Sequence, residues 1–451
     1  MHPIVTLSHC RHALREGTTS AHELVEQALE RIASPQGEGA RAFTKVYAVA
    51  ARESAVISDV LLAAGQTRSG IEGLPISIKD LFDVAGETTL AGSIALQGHP
   101  PATADALAVQ RLKAAGAVIV GRTNMTEFAF SGLGINPHYG TPLNPWDRTT
   151  GRIPGGSSSG AAVSVADGMA LVGIGSDTGG SLRIPAALCG LVGFKPTASR
   201  VPMQGVLPLS TSLDSIGAIA PSVACCAQLD AILSGEMFAE LRPASLKGLR
   251  LGVPSTLVME GLDAQVAHSF EGALARLSAL GVVVQNLAVP AFARLATINA
   301  KGGLIASEGW AWHRELLAAS GPLYDPRVSS RIQRGQAMSA ADYIDVLNAR
   351  TAWITEVQAQ MTDLDAMIMP TVPVVAPSVS ETAASDEVYT QTNLLILRNP
   401  TLINFLDGCA ISLPCHRPGE APVGLMLAAP SLHDRRLLSI SLAIEAALHG
   451  A

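Results

Sequence analysis

Residues 151–197 read GRIPGGSSSGAAVSVADGMALVGIGSDTGGSLRIPAALCGLVGFKPT. By composition, Gly151–Gly160 looks like a flexible Gly/Ser linker. Its neighbours argue otherwise. Ala161–Ala170 is apolar and helix-compatible, and Ala170–Ile174 is strand-like, so the small-residue run lies inside core sequence. A second Gly-rich turn, Ser176-Asp177-Thr178-Gly179-Gly180-Ser181-Leu182-Arg183, follows that strand.

The same rhythm extends outward. Gly73–Lys79 alternates like a strand, residues 104–115 read as a helix, and Ala117–Val120 as a short buried strand. Ser20 and Glu23 form a capping box ahead of Leu24, Val25, Ala28, Leu29 and Ile32 at helical spacing, and 45–64 reads as a second helix. Residues 371–390, rich in Pro, Ser and Thr, read as a long surface loop. No internal repeat or composition shift divides the chain. These patterns predict one α/β domain over 1–451, with a helical part at about 1–65 and a core at about 70–220. Its sheet is expected to be mixed and mainly parallel, with helices on both faces.

Composition sets outer limits on function. The 451 residues carry 31 Lys and Arg against 38 Asp and Glu, a formal net charge of −7, which gives no basic excess for holding a nucleic-acid backbone. Aromatic residues, at 4%, are too few for rows of base-stacking platforms. No apolar run reaches the ~18 residues a spanning helix needs. The start, MHPIVTLSHCRHALREG, lacks the long apolar stretch of a signal peptide. The six cysteines form no CxxC pair and the histidines no HExxH or zinc spacing. A cytoplasmic protein with reduced thiols, no metal, no cofactor, no direct nucleic acid and no membrane is expected.

The chemistry-bearing features are the two Gly/Ser turns and Lys79, one of six lysines and placed on an otherwise apolar strand. A serine hydroxyl needs a base to become a nucleophile. A lysine supplies one where burial disfavours its charge. A glycine pair lets the backbone turn sharply and present successive N–H groups, which stabilise an oxyanion. Serine, lysine and such a nest suffice for acyl transfer. Each part also has a plain reading: GGSSSG as a loop, Lys79 as an ion pair with Asp80, TGGS as a turn. Other motifs compete. Gly156-Ser157-Ser158-Ser159-Gly160 fits the G-x-S-x-G elbow with Ser158 as nucleophile and Asp407, His416 or His433 downstream, although Gly151–Pro154 is a poor strand to precede it. S-x-x-K and the P-loop are absent.

The order of these blocks resembles that of the amidase signature family. The resemblance runs from Gly151 through Thr197 and Pro208–Asp214. Upstream it takes in Gly73–Asp80 and Gly121–Phe128, and downstream Met369–Pro373 and Pro422–Met426. It implies a Ser–cis-Ser–Lys triad: Ser181 as nucleophile, Ser157 as bridging serine 24 residues earlier, and Lys79 as base. It further implies a cis bond before Ser157 and an oxyanion hole from the N–H groups of Thr178, Gly179, Gly180 and Ser181. Ala129, Phe130 and Ser131 match positions that line the acyl pocket in relatives, so they are expected to bind substrate or to pack the core. Arg183 is expected either to bind a substrate carboxylate or to brace the sheet and loop. Asp177 is expected to be structural, and Cys189 a small buried residue.

The implied activity is hydrolysis of an amide C–N bond in a small or medium-sized substrate. The alternatives are a carbamate (urethane) or urea-like bond, and the A subunit of a glutamine-dependent aminoacyl-tRNA amidotransferase. A homodimer is compatible with each. Specificity is expected in variable loops near 125–145, 299–345 and 380–405.

Overall fold

The alternating apolar segments become the strands of one sheet in the computed structural model, which describes residues 5–449. In chain order these are β1 (Phe43–Val46), β2 (Pro75–Lys79), β3 (Val118–Thr123), β4 (Val172–Ser176), β5 (Val192–Lys195), β6 (Ile216–Ala220), β7 (Arg250–Pro254), β8 (Val283–Leu287), β9 (Ala366–Pro370), β10 (Cys409–Pro414) and β11 (Gly424–Ala429). Their order across the sheet is β1-β3-β2-β4-β6-β5-β10-β11-β9-β7-β8. From β2 to β6, and again from β9 to β11, every strand position is buried. Burial at successive positions means that both faces of the sheet are covered.

The α/β class and the mixed sheet are as the sequence implies, but the share of parallel pairing is smaller. Parallel ladders join β2 to β3, β2 to β4, β7 to β8 and β7 to β9. The other six pairs run antiparallel. β10 and β11 are joined by a short connection without a helix, which permits only antiparallel pairing.

Two local readings need correction. The helix expected over 45–64 spans Ala48–Ala63, because Lys45 and Val46 belong to β1 at the sheet edge. The segment 371–390 is no plain surface loop. Thr371 and Val372 are buried, Val379–Thr382 is helical, and a long helix, Asp386–Phe405, begins within it. Ser378 and Ser385 supply the N-caps that start those two helices. The expected single domain also included residues 1–4 and 450–451, which lie outside the described residues.

The Gly/Ser run is a packed element. Helix Ser159–Ala166 is buried at every position and lies on β4. Gly175 permits that approach, since a Cβ there would meet Ser158 Oγ at 2.6 Å. The capping box at Ser20 and Glu23 is present and starts helix Ala21–Ala33. The six cysteines are free, and buried Cys189 donates its thiol to the Pro154 carbonyl. No helix among the described residues is long and apolar enough to cross a membrane.

Candidate active site

Strands β3, β2 and β4 run parallel, so Thr123, Lys79 and Ser176 end at one edge of the sheet. The carboxyl ends of parallel strands are where such sheets leave a crevice. The Lys79 side chain is fully buried there. Its Nζ lies 2.7 Å from Ser157 Oγ and 2.9 Å from Ser176 Oγ. Asp80 does not pair with it. Arg122 Nε takes the Asp80 carboxylate at 2.8 Å, which leaves Lys79 with hydroxyl partners only. Burial pulls the Lys79 pKa down to about 7, against the opposing charges of Asp177 and Asp214. An amine held in this way presents a lone pair to a hydroxyl near neutral pH.

The Gly156–Ser157 peptide bond is cis. Gly156 N–H donates to the Gly132 carbonyl at 2.8 Å, and the Ser157 carbonyl accepts Thr126 N–H at 3.1 Å. The next residue, Ser158, donates its N–H to the Ser181 carbonyl at 3.3 Å, so the two Gly/Ser turns lie against each other. Ser181 makes no side-chain hydrogen bond among the described residues and lines the main cleft. Ser158 does not line that cleft, and its hydroxyl is spent on the Ser176 carbonyl at 3.3 Å. The cleft therefore opens on Ser181, the serine outside the G-x-S-x-G elbow.

Asp177 builds the turn that carries Ser181. Its carboxylate accepts Gly180 N–H at 2.8 Å and Leu182 N–H at 3.1 Å. Arg183 closes on it with Nη2 at 2.9 Å and Nε at 3.1 Å, and Asn404 Nδ2 adds a bond at 2.9 Å. Burial alone would raise the Asp177 carboxyl. The Arg183 guanidinium, followed by Lys195 and Asn404, outweighs it and holds the group well below the usual carboxylate range. Gly180 sits at φ 125°, and a Cβ there would meet Pro400 at 2.6 Å, so only glycine fits. With the Gly180 N–H committed to Asp177, the N–H groups of Thr178, Gly179 and Ser181 are left without protein partners among the described residues. The nest thus differs from the fourfold one expected. On the other side, Thr178 Oγ1 donates to buried Asp214 at 2.5 Å.

A family model described as Amidase matches residues 23–438. The chain belongs to the amidase family. It is 36% identical over 399 residues to 2-amino-5-chloromuconic acid deaminase of Comamonas testosteroni, covering 88% of this chain and 86% of that protein. It is 32% identical over 470 residues to the A subunit of the glutamyl-tRNA(Gln) amidotransferase of Roseiflexus sp. (strain RS-1), covering 97% and 95%. Among solved structures, one described as the crystal structure of amidase superposes with a TM-score of 0.88 at 32% identity, covering 98% of this chain and 100% of that one. The main reading of the sequence, an amidase that hydrolyses carbon–nitrogen bonds other than peptide bonds, agrees with this membership.

In this amidase fold the cleft in front of Ser181 has a volume of about 580 Å³. Ala129, Phe130 and Ser131 all line it, as do Gly179, Leu209 and Thr401. All three segments expected to hold specificity loops contribute, but two of them do so as helices, Gly303–Ser320 with Pro326–Gln333, and Asp386–Phe405. Arg183 is buried, held by Asp177, Asn404 and the Pro400 carbonyl, and is absent from the cleft lining. It braces the loop against the helix. Ser176 is the residue that sequence reasoning missed. Its one signal was a serine closing a buried strand beside the lysine strand.

Proposed function

We propose that the chain hydrolyses an amide C–N bond of a small or medium-sized substrate through an acyl-enzyme on Ser181. Neutral Lys79 takes the Ser157 proton as Ser157 takes that of Ser181, and Ser181 Oγ attacks the carbonyl. The contact between the two hydroxyls forms when substrate is bound. The N–H groups of Thr178, Gly179 and Ser181 receive the developing oxyanion. The departing amine is protonated along the same relay, and water then releases the acid and restores Ser181. Ala129, Phe130 and Ser131 contact the substrate in the cleft.

The observation that carries this reading is Lys79: buried, without a carboxylate partner, and 2.7 Å from the Ser157 hydroxyl. The chain acts without amidotransferase partners, singly or as a homodimer, in the cytoplasm. Similarity to amidotransferase A subunits supports the alternative of a protein that releases ammonia from glutamine within a larger complex. The acyl chemistry also extends to carbamates and urea-like bonds. A panel of anilides, aliphatic amides, amino-acid amides, aryl carbamates and glutamine, given to the purified chain, separates these. Hydrolysis of simple amides without glutaminase activity, abolished by Ser181→Ala, is expected. Glutaminase activity alone would transfer the chain to the amidotransferase class, and preference for the carbamates would make it a urethanase.

A further inference from the structure

We propose that Asn393 selects substrates that carry a second carbonyl oxygen besides the scissile amide, by donating an Nδ2 hydrogen to that oxygen. The inference rests on the amidase reading and adds a substrate feature to it. Asn393 belongs to helix Asp386–Phe405, is buried, and lines the cleft together with Ser131 and Ser181.

The Asn393 carboxamide is fixed at its oxygen end. Oδ1 accepts Gly132 N–H at 2.8 Å and the Ser131 hydroxyl at 2.9 Å. A backbone N–H can only donate, so the atom facing Gly132 is the oxygen and the NH2 group takes the other side. Both lone pairs of Oδ1 are thereby occupied. Ser131 Oγ also accepts Leu133 N–H at 3.1 Å, and its one proton is committed to Asn393. The Gly132 carbonyl accepts Gly156 N–H at 2.8 Å, which ties the turn that holds Asn393 to the cis peptide. Nδ2 makes no hydrogen bond among the described residues, and it is not one of the unpaired polar atoms sealed away from solvent. Of the Ser131–Asn393 pair, only the NH2 has hydrogens left to give, and the carboxamide accepts nothing more.

The helix sets what lies between this donor and the reacting carbonyl. Asn393, Leu397 and Thr401 follow one another at four-residue intervals, and all three line the cleft. Thr401 Oγ1 donates to the Gly179 carbonyl at 3.3 Å, beside the oxyanion turn, and Leu397 packs over Gly132 and Gly179. Asn393 therefore stands about 6 Å beyond Leu397 and about 12 Å from Thr401 along the helix axis. A substrate that reaches it crosses leucine first. Leu394, the next residue in the lining, offers no acceptor either. A hydroxyl or amine placed against these leucines would strand its own proton, whereas a carbonyl brings lone pairs only.

The test uses matched 4-nitroanilides: 4-oxopentanoyl, 6-oxoheptanoyl and 8-oxononanoyl against pentanoyl, heptanoyl and nonanoyl, which replace the ketone by a methylene. A further pair, butanoyl 4-(2-oxopropyl)anilide and butanoyl 4-propylanilide, places the ketone on the leaving group. The expected result is a kcat/KM ratio of roughly threefold or more in favour of at least one ketone. Asn393→Asp keeps the oxygen that holds Gly132 and Ser131 and replaces the donor by an acceptor. It should bring that ratio to unity or below, and Asn393→Leu should do the same. A merely structural role would lower both members of a pair together and leave the ratio in place. Ratios at or below unity throughout, or a ratio unmoved by Asn393→Asp, would overturn the proposal while leaving the amidase reading intact. If no anilide turns over although Ser181 takes a covalent label, fluorophosphonates with the same oxo and plain alkyl chains replace the anilides. Faster labelling by a ketone, lost in Asn393→Asp, supports the proposal, and equal rates overturn it. Failure of both turnover and labelling would overturn the amidase reading and the proposal with it.

Discussion

Lys79 and Lys195 end two strands of the same sheet, both fully buried, and they have opposite surroundings. Lys79 faces the hydroxyls of Ser157 and Ser176. Lys195 Nζ donates to two carbonyls, Pro196 at 2.7 Å and Gly408 at 2.8 Å. Burial lowers both amines, Lys79 to about 7 and Lys195 to about 8. A depressed pKa therefore does not make a base. A hydroxyl can give up its proton to a neutral amine, whereas a carbonyl has none to give. Lys195 ties β5 to the turn before β10, and Lys79 is left able to accept a proton.

Removing each lysine in turn should separate the two most widely. Lys79→Ala should cost roughly 10²–10⁴-fold in kcat, the usual range for losing a general base. Near-normal turnover would remove Lys79 from the chemistry. Lys195→Met should instead lower the unfolding free energy, by about 1–3 kcal/mol for stranding buried carbonyls, read as a lower denaturation midpoint, with a far smaller loss of kcat. A collapse of kcat in a folded Lys195→Met protein would dissolve the distinction.

Titration distinguishes the two amines as well. In the proposed relay Lys79 works as the neutral amine, so log kcat/KM should climb with pH below about 7 and level off above it. The folded protein binds fewer protons than the unfolded chain between about 8 and the ordinary lysine value of 10.5 at Lys195. Stability therefore gains from this group as pH rises through that window. Lys195→Met should remove this gain without moving the activity limb. Ser176→Ala should have the smallest effect, about tenfold or less in kcat, by releasing one of the two hydroxyls that fix the Lys79 amine. A profile shifted by a full unit would show that Ser176 sets the pKa as well as the position.

The two Gly/Ser turns and the lysine strand were legible because their order along the chain is distinctive. The turns that carry Ser157 and Ser181 lie against each other beyond the end of β4, and of that strand the sequence showed the pattern over Ala170–Ile174. The share of antiparallel pairing was not legible, since fully buried strands read alike in either direction. Nor was the work of Asp177. Its bonds to Gly180, Leu182 and Arg183 are local, but the bond it accepts from Asn404 depends on a helix more than two hundred residues away. The cleft wall was unreadable for the same reason. Arg331 reaches the Phe130 carbonyl across 201 positions, and helical pattern alone does not say which arginine turns toward a serine.

The whole mechanism depends on Ser181, and not the serine of the elbow motif, being the nucleophile. Reaction with a fluorophosphonate followed by peptide mass spectrometry distinguishes the two. Stoichiometric modification of Ser181, strongly slowed in Lys79→Ala, is the predicted result. Modification at Ser158, with Ser181 left free, would contradict it.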